Sequence, residues 1–175
     1  MPSYQLQGKS PRIDADAFIH PEAVIIGEAS IGAGCFVGPG AVIRADFGPV
    51  TLGEGVSLQD NAVIHVSPGS RVLVEDDCII GHGALLHDVH LARGCVIGMG
   101  AILLFDVVCG KESFVAAGAV VTRGTKIPEG SVAAGNPAEI IRQETSPERI
   151  REARDGARLY RELAASYRES MKHLS

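Results

Sequence analysis

The chain has 175 residues, a length that suits one domain with a short appendage. Hydrophobic residues make up 46% of it and aromatic residues only 5%, so aliphatic side chains must fill the core. The 21 glycines are too many for a helix bundle, and a net charge of −5 without a basic stripe argues against a nucleic-acid partner.

The N-terminal sequence, MPSYQLQGKSPRID, has no apolar signal region. No stretch of the chain approaches the roughly 18 consecutive apolar residues that a membrane span requires. The four cysteines have no CxxC spacing, which argues against a zinc knuckle or a redox pair and fits a reducing compartment. We therefore expect a cytoplasmic protein that does not contact a membrane.

From about residue 13 to residue 138, aliphatic residues recur at every sixth position, with a few changes of phase. The series includes Ile13, Ile19, Ile25, Ile31, Val37, Ile43, Leu52, Leu58, Ile64, Val74, Ile80, Leu86, Leu91, Ile97, Leu103, Val115, Val121 and Ile127. A period of six fits neither an α-helix nor an amphipathic strand. It predicts an all-β fold, a parallel β-helix over residues 1–140 in which each flat face takes one six-residue repeat. The alternative, a glycine-rich α/β protein, leaves the period unexplained.

A single helix is predicted after the repeats, over residues 146–174. Ser146 and Pro147 form a typical helix start, with an N-cap hydroxyl followed by proline in the first turn. Apolar residues then recur at helical spacing as far as Leu174. We expect this amphipathic helix to pack on the β-helix of its own chain or on a neighbouring subunit.

Counting in repeats places several polar residues relative to the inward aliphatic position. Arg44, His65 and His87 each directly follow an inward residue and are one coil apart, so they should form one column on one face. Asp60 and His82 each stand two positions after an inward residue of a different face. His65 and His87 are thus close enough to share a metal, whereas His82 lies across a corner of the prism.

The third histidine could meet the other two if a neighbouring subunit supplied it. A three-fold ring would repeat such an interfacial site three times. Three neutral imidazoles leave a fourth metal position open, which is typical of catalytic zinc. The alternative is that the three histidines are solvent-exposed or capping residues. The remaining histidines, His20, His90 and His173, have no such register and are expected at the surface.

Several segments resemble the γ-class carbonic anhydrase family of hexapeptide-repeat proteins along nearly the whole chain. They are Ile43–Asp46, Leu58–Asn61, His65, Ile80–His82, Leu86–His87, Ile97–Ala101 and Gly135–Ala138. The resemblance implies a homotrimer of left-handed β-helices with metal bound between subunits.

The resemblance also assigns roles to individual residues. It implies that His65, His82 and His87 bind the metal, with Zn²⁺ expected and Fe²⁺ or Co²⁺ as alternatives. Gln59 would hydrogen-bond the reactive water. Arg44 and Asp60 would form an ion pair at the interface, with Asp46 nearby, and Tyr160 could match a tyrosine near the site. The implied reaction is the reversible hydration of CO2 to bicarbonate by hydroxide generated at the metal.

Three positions depart from the pattern of an active carbonic anhydrase. Phe47 follows Asp46, and residues 66–70 contain no acid, so no carboxylate is evident for moving protons away from the site. The nearest carboxylates in sequence are Glu54 and Glu75. Ser57 stands where family members often have asparagine. Slow hydration, or none, is therefore a competing expectation.

The sequence leaves two other functions open, and the first is hydrolysis of an acyl-CoA thioester. The phenylacetate- and carnitine-operon members of the same family look very similar, and a metal-generated hydroxide could attack an acyl-CoA thioester as readily as CO2. The second is a binding or assembly subunit with an inactive site. Hexapeptide acyltransferases that use one catalytic histidine do not need three histidines in this register.

Overall fold

The computed structural model describes residues 3–174, which form twenty short strands followed by one helix. The elements in chain order are β1 Ser3–Tyr4, β2 Arg12–Ile13, β3 Phe18–Ile19, β4 Val24–Ile31, β5 Phe36–Val37, β6 Val42–Leu52, β7 Ser57–Leu58, β8 Val63–His65, β9 Val72–Val74, β10 Ile79–Ile80, β11 Leu85–His87, β12 His90–Leu91, β13 Val96–Ile97, β14 Ile102–Leu103, β15 Val108–Cys109, β16 Phe114–Val115, β17 Val120–Val121, β18 Lys126–Ile127, β19 Val132–Gly135, β20 Ala138–Arg142 and α1 Pro147–Ser170.

The strands stack in parallel into three faces, which confirms the predicted parallel β-helix. The β-helix has about seven coils. The helix-covered face consists of β3, β5, β7, β10, β13, β16 and β19, and β20 adds to it in antiparallel orientation. The histidine face consists of the first parts of β4 and β6, followed by β8, β11, β14 and β17. The third face consists of β2, the last parts of β4 and β6, and then β9, β12, β15 and β18.

The repeated aliphatic side chains fill the interior of the prism. On the histidine face, Ile25, Ile43 and Ile64 follow one another along the axis and are all fully buried. Coils of a parallel β-helix are about 4.8 Å apart, so each side chain contacts its equivalents above and below. Stacking also demands space for the backbone: a Cβ at Gly27, where φ is +79°, would collide with the carbonyl of Ala45 in the next coil.

Helix α1 lies along the helix-covered face of its own chain. The hydroxyl of Ser146 accepts a hydrogen bond from the Arg149 N–H at 3.3 Å, and the helix ends at Ser170, four residues before the end of the predicted segment. Its contact with the β-helix is aromatic, through Phe18, Phe36, Tyr160 and Tyr167 around the buried Ala164. In residues 3–174, no helix is both long and apolar enough to cross a membrane.

Three arginines at seven-residue intervals on α1 form ion pairs with turns of three different coils. This arginine row consists of Arg154 with Glu112 at 2.7 Å, Arg161 with Asp77, and Arg168 with Asp16 at 3.1 Å. The pairs run from the later coils back to the first, so α1 is antiparallel to the direction in which the coils advance. The arginine row therefore fixes where each turn of the helix sits along the prism.

Candidate functional site

The histidine face carries a column of polar side chains that project outward. Arg44 of β6 pairs in register with His65 of β8, and His65 pairs in register with His87 of β11. This is the column that counting in repeats predicts. Because outward and inward residues alternate along a strand, the buried aliphatics Ile43, Ile64 and Leu86 hold these three side chains on the outer surface.

The two imidazole rings of the column face each other. Nδ1 of His65 lies 2.8 Å from Nε2 of His87, and the ring centroids are 4.7 Å apart with the planes perpendicular. The side chain of His65 is 15% exposed and that of His87 is 26% exposed. Two ring nitrogens therefore converge on one point in a half-buried setting.

The other nitrogen of each ring faces a carboxylate. Nε2 of His65 is 3.0 Å from Oδ1 of Asp46, and Nδ1 of His87 is 3.2 Å from Oδ2 of Asp88. Arg44 donates a hydrogen bond to Nδ1 of His65 at 3.2 Å, so that nitrogen presents a lone pair.

These partners leave a conflict over where the proton of His87 lies. A proton on Nε2 of His87 satisfies His65 but turns a lone pair toward the carboxylate of Asp88. A proton on Nδ1 satisfies Asp88 but sets two lone pairs against each other at 2.8 Å. A cation between the inner nitrogens, taking the place of the Arg44 hydrogen bond to Nδ1 of His65, removes the conflict, and imidazole is the commonest metal ligand in proteins. The donor set of His65 and His87 therefore fits a metal.

Burial of His65 favours its neutral form. Burial lowers the pKa of His65, against the opposing effect of its hydrogen bond to Asp46. Burial would raise the pKa of Asp46, but hydrogen bonds from Arg44 and His65 outweigh burial and lower it. A neutral imidazole beside an ionised carboxylate is the state in which His65 can act as a metal ligand.

His82 lies away from this pair, across the corner that the sequence predicts. It follows β10 on the helix-covered face, and its Nδ1 is 3.3 Å from Oδ2 of Asp60, one coil earlier. Gln59 precedes Asp60 and is buried, whereas the side chain of His82 is 43% exposed. Within residues 3–174 of one chain, no group of three or more His, Cys, Asp or Glu side chains converges to hold a metal.

Tyr160 of α1 lies beside His82 and Asp60. All three line a cleft of about 560 Å³ between the helix and the helix-covered face, together with His20 and Tyr167. Burial raises the pKa of the Tyr160 hydroxyl, and the nearby negative charge of Asp60 adds to this effect. The fold thus places Tyr160 on the His82 side of the candidate site.

Arg44 and Asp60, predicted as an ion pair at a subunit interface, do not meet within one chain. Arg44 instead binds Asp46, with Nη1 2.6 Å from Oδ2, and Asp60 contacts His82. The two residues lie on different faces of the prism, so any pair between them has to join two subunits.

Sequence reasoning missed two residues beside the histidine pair, Phe105 and Asp88, and noted Phe47 only as a departure from the family pattern. The ring of Phe105 is 4.4 Å from that of His87, and Phe47, which is 54% exposed, is 5.9 Å from His65. Asp88 lies behind His87. Phe105 and Asp88 both stand two positions after an inward residue, the register already used for Asp60 and His82, so the repeat count could have found them.

Comparison with protein-family models identifies the repeat. Residues 10–45 match the model described as "Bacterial transferase hexapeptide (six repeats)", and residues 71–104 match "Hexapeptide repeat of succinyl-transferase". The repeat and the fold together define a hexapeptide-repeat protein.

Similar proteins show which hexapeptide-repeat family the chain belongs to. The chain is 40% identical over 146 residues to Gamma carbonic anhydrase 1, mitochondrial, of Arabidopsis thaliana, a match that covers 80% of this chain and 53% of the plant protein. It is 34% identical over 171 residues to Carnitine operon protein CaiE of Salmonella agona, covering 98% of this chain and 86% of that protein. The chain therefore belongs to the hexapeptide-repeat family that contains the γ-class carbonic anhydrases and the CaiE proteins. It spans about half the length of the plant relatives that it matches.

Solved structures carry the same fold. A putative acetyltransferase from Bacillus cereus superposes with a TM-score of 0.93 at 34% identity, covering 95% of this chain and 96% of that one. A hexapeptide transferase family protein from Anaplasma phagocytophilum gives a TM-score of 0.91 at 33% identity, covering 95% and 98%. Proteins named as transferases thus share this architecture, whereas the named anhydrases are relatives in sequence.

Proposed function

We propose that the protein is a metal-dependent γ-type carbonic anhydrase that interconverts CO2 and bicarbonate at the subunit interfaces of a homotrimer. The observation that carries the proposal is the pair of facing imidazoles, His65 and His87, whose inner nitrogens are 2.8 Å apart and whose outer nitrogens face carboxylates. The similarity to plant γ-carbonic anhydrases supports it. The cytoplasmic location expected from the sequence is part of the same proposal.

The outer surface of the histidine face supports assembly. Its outward residues next to the histidine column are aliphatic in six successive coils and are all partly or fully exposed: Val24, Val42, Val63, Leu85, Ile102 and Val120. We call this row the aliphatic stripe. An exposed apolar patch of this length is typical of a protein interface. A neighbouring subunit packed on the stripe could bring its own His82 toward His65 and His87, with the same contact repeated around a three-fold axis.

In this arrangement, His65 and His87 of one subunit and His82 of the next would hold the metal, with Zn²⁺ as the expected ion and Fe²⁺ or Co²⁺ as alternatives. When bound, such a metal supplies Lewis acidity that generates a hydroxide nucleophile near neutral pH. Asp46 fixes the ring of His65 through its outer nitrogen, and Arg44 holds Asp46 in place at 2.6 Å.

The second subunit would contribute residues from the His82 side. Gln59 is buried next to Asp60 and would orient the attacking oxygen by hydrogen bonding. Asp60 positions His82 through the 3.3 Å contact, and its free carboxylate oxygen is available to Arg44 of the neighbour. Tyr160 would close this side of the site.

Proton release is the weak step in this site. Phe47 and Phe105 place aromatic rings beside the histidine pair, where a proton acceptor would be useful. Glu75 is hydrogen-bonded to His90 on the third face, away from the column of Arg44, His65 and His87. We therefore expect slow CO2 hydration that is accelerated by small buffers such as imidazole, because they can carry the proton instead.

Hydrolysis of an acyl-CoA thioester, or acyl transfer from it, is the second candidate. The same rings of Phe47 and Phe105 favour it, because an apolar wall beside the nucleophile suits an acyl chain better than a charged product. Solved structures at 33–34% identity are named as a putative acetyltransferase and a hexapeptide transferase.

The test is to measure metal content, CO2 hydration by stopped flow, and acyl-CoA hydrolysis on the same anaerobic preparation. His82→Ala should lose metal and activity, and the matched variant His90→Ala, on the third face, should keep both. Mixing His82→Ala subunits with His65→Ala/His87→Ala subunits should restore activity, because some interfaces then contain all three histidines. Activity in His82→Ala, or no restoration on mixing, would contradict the shared site. Hydrolysis without hydration would favour the thioesterase, and bound metal without either activity would favour a binding subunit.

A further inference from the structure

Asp88 is a buried carboxylate directly behind His87. Its side chain is only 4% exposed, and its neighbours are Ser67 and Ser70 of the segment after His65 on one side and His87 on the other. Oδ1 accepts a hydrogen bond from the Ser67 N–H at 2.7 Å, and Oδ2 lies 3.2 Å from Nδ1 of His87. Nδ1 of His87 is itself buried and forms no hydrogen bond of good geometry. The carboxylate is thus held by the Ser67 N–H with its second oxygen turned to the histidine.

The position of Asp88 relative to His87 matches that of Asp46 relative to His65. In each case a carboxylate oxygen lies about 3 Å from the outer nitrogen of a ring whose inner nitrogen points to the other ring. A carboxylate at the outer nitrogen places the proton there and leaves a lone pair on the inner one.

We propose that Asp88 is a positioning residue, which fixes the ring orientation and the tautomer of His87 so that Nε2 is free to bind a metal. This inference deepens the proposed function and rests on it. Asp88 also connects the segment after His65 to the site, because its carboxylate accepts a hydrogen bond from the N–H of Ser67, two residues beyond His65. One carboxylate therefore ties the segment after one histidine to the ring of the other.

Asp88→Asn is the sharpest test. The amide oxygen can still accept from the Ser67 N–H, so the loop stays tied. The amide NH2 then faces Nδ1 of His87 as a donor and favours the tautomer with the proton on Nε2, which blocks metal binding. Asn also tolerates the left-handed backbone at this position, where φ is +53°.

Asp106 provides a matched control one coil further along. It has the same backbone conformation, with φ of +63°, and its N–H donates to the Asp88 carbonyl at 3.0 Å, but it is exposed, and its side chain forms no hydrogen bond or ion pair with a histidine in residues 3–174. Asp106→Asn makes the same chemical change without reaching the site, so it should leave both the tautomer of His87 and metal binding unchanged.

The experiment uses the full chain and two readouts. The first is the His87 tautomer in metal-free protein, from solid-state NMR of ¹⁵N-histidine-labelled samples, assigned with a His87→Gln variant. The second is Zn²⁺ affinity from competition with a chelator. We expect Asp88→Asn to move the His87 proton from Nδ1 to Nε2 and to weaken Zn²⁺ binding by about 10- to 100-fold.

The outcomes separate this inference from the proposed function. If wild-type protein binds Zn²⁺ and Asp88→Asn changes neither readout, Asp88 has no positioning role and the inference is overturned, while the metal site stands. If wild-type protein binds no Zn²⁺, the proposed function fails, and the tautomer alone decides the role of Asp88. Should Asp88→Asn not fold, Asp88→Gly suits the positive φ and removes the carboxylate, and unchanged Zn²⁺ affinity in that variant would equally overturn the inference.

Discussion

Two faces of the prism have apolar exteriors, and they differ in what covers them. On the helix-covered face, Phe18 and Phe36 point outward but are only 5% and 3% exposed, because α1 packs over them. On the histidine face no element within residues 3–174 packs over the aliphatic stripe, and Leu85 is 44% exposed. The chain thus covers one apolar exterior with its own helix, and in the proposed trimer a neighbouring subunit would cover the other, next to the histidine pair.

The largest effect should come from a charge placed in the aliphatic stripe. Ile102→Lys would bury an unpaired ammonium at every interface of the proposed trimer, at a cost of several kcal/mol for each charge. We expect monomers by light scattering at micromolar concentration, together with loss of bound metal. Val108→Lys makes an equivalent change on the third face and should leave the trimer intact. A trimeric Ile102→Lys protein would contradict the assignment of this face as the interface.

Removing an aromatic ring under the helix should have the next largest effect. Phe36→Ala deletes a ring that contacts Phe18, Tyr160 and Tyr167, so we expect a loss of about 3–5 kcal/mol in unfolding free energy. Leu159→Ala, on the exposed side of the same helix, should change stability by less than about 0.5 kcal/mol. Denaturant unfolding monitored by circular dichroism measures both. Similar values for the two variants would mean that the helix is not docked through these rings.

A pair of glycine substitutions can measure how much the ion pair between Arg161 and Asp77 contributes to stability. Gly55 and Gly130 occupy equivalent turns with φ of +64°, but a Cβ at Gly55 would collide with the guanidinium of Arg161, whereas a Cβ at Gly130 meets open space. Gly130→Ala should cost about 1 kcal/mol for the backbone strain alone. Gly55→Ala should cost roughly twice as much, since Arg161 must leave Asp77. Equal losses in thermal unfolding would show that the ion pair adds nothing to docking.

A substitution on the third face, which neither α1 nor the aliphatic stripe occupies, should have the smallest effect on stability. A hydrogen bond from His90, opposed by burial and aided by the Arg93 N–H, lowers the pKa of Glu75. A lowered pKa in the folded state adds stability that is present above the unfolded value, near pH 4.3, and is lost as the pH falls through the folded value. The stability difference between wild type and Glu75→Gln should therefore shrink between about pH 5 and pH 3. A stability difference that stays constant over this range would mean that the hydrogen bond between Glu75 and His90 does not stabilise the fold.

The sequence was sufficient to predict the coil and the column of Arg44, His65 and His87, because both depend on a strict period. An inward residue every six positions leaves its neighbours no choice of face. The corner position of His82 followed from the same count. These features are local in one sense: each depends only on the number of residues between one coil and the next.

Features that depend on long-range packing could not be predicted in this way. Nothing in the apolar spacing of α1 tells which face it covers, since two faces have apolar exteriors. The ion pairs of the arginine row join residues up to 152 positions apart, and exposed arginines on a helix are more often solvated than paired. Asp88 was missed because a turn residue in the left-handed region is a common place for aspartate whether or not its carboxylate has a role.

The arginine row also restricts the number of coils between its first and last ion pairs. Seven helical residues advance about 10.5 Å, close to the roughly 9.6 Å of two coils, which separate Glu112 from Asp77. From Asp77 to Asp16 there are three coils, and the length of an arginine side chain absorbs the remaining difference. Inserting one more coil between Asp77 and Glu112 would move the two carboxylates out of step with Arg154 and Arg161. The C-terminal helix thus sets the spacing of the coils between Asp16 and Glu112, and an extra coil could be added without disturbing the ion pairs only outside that span.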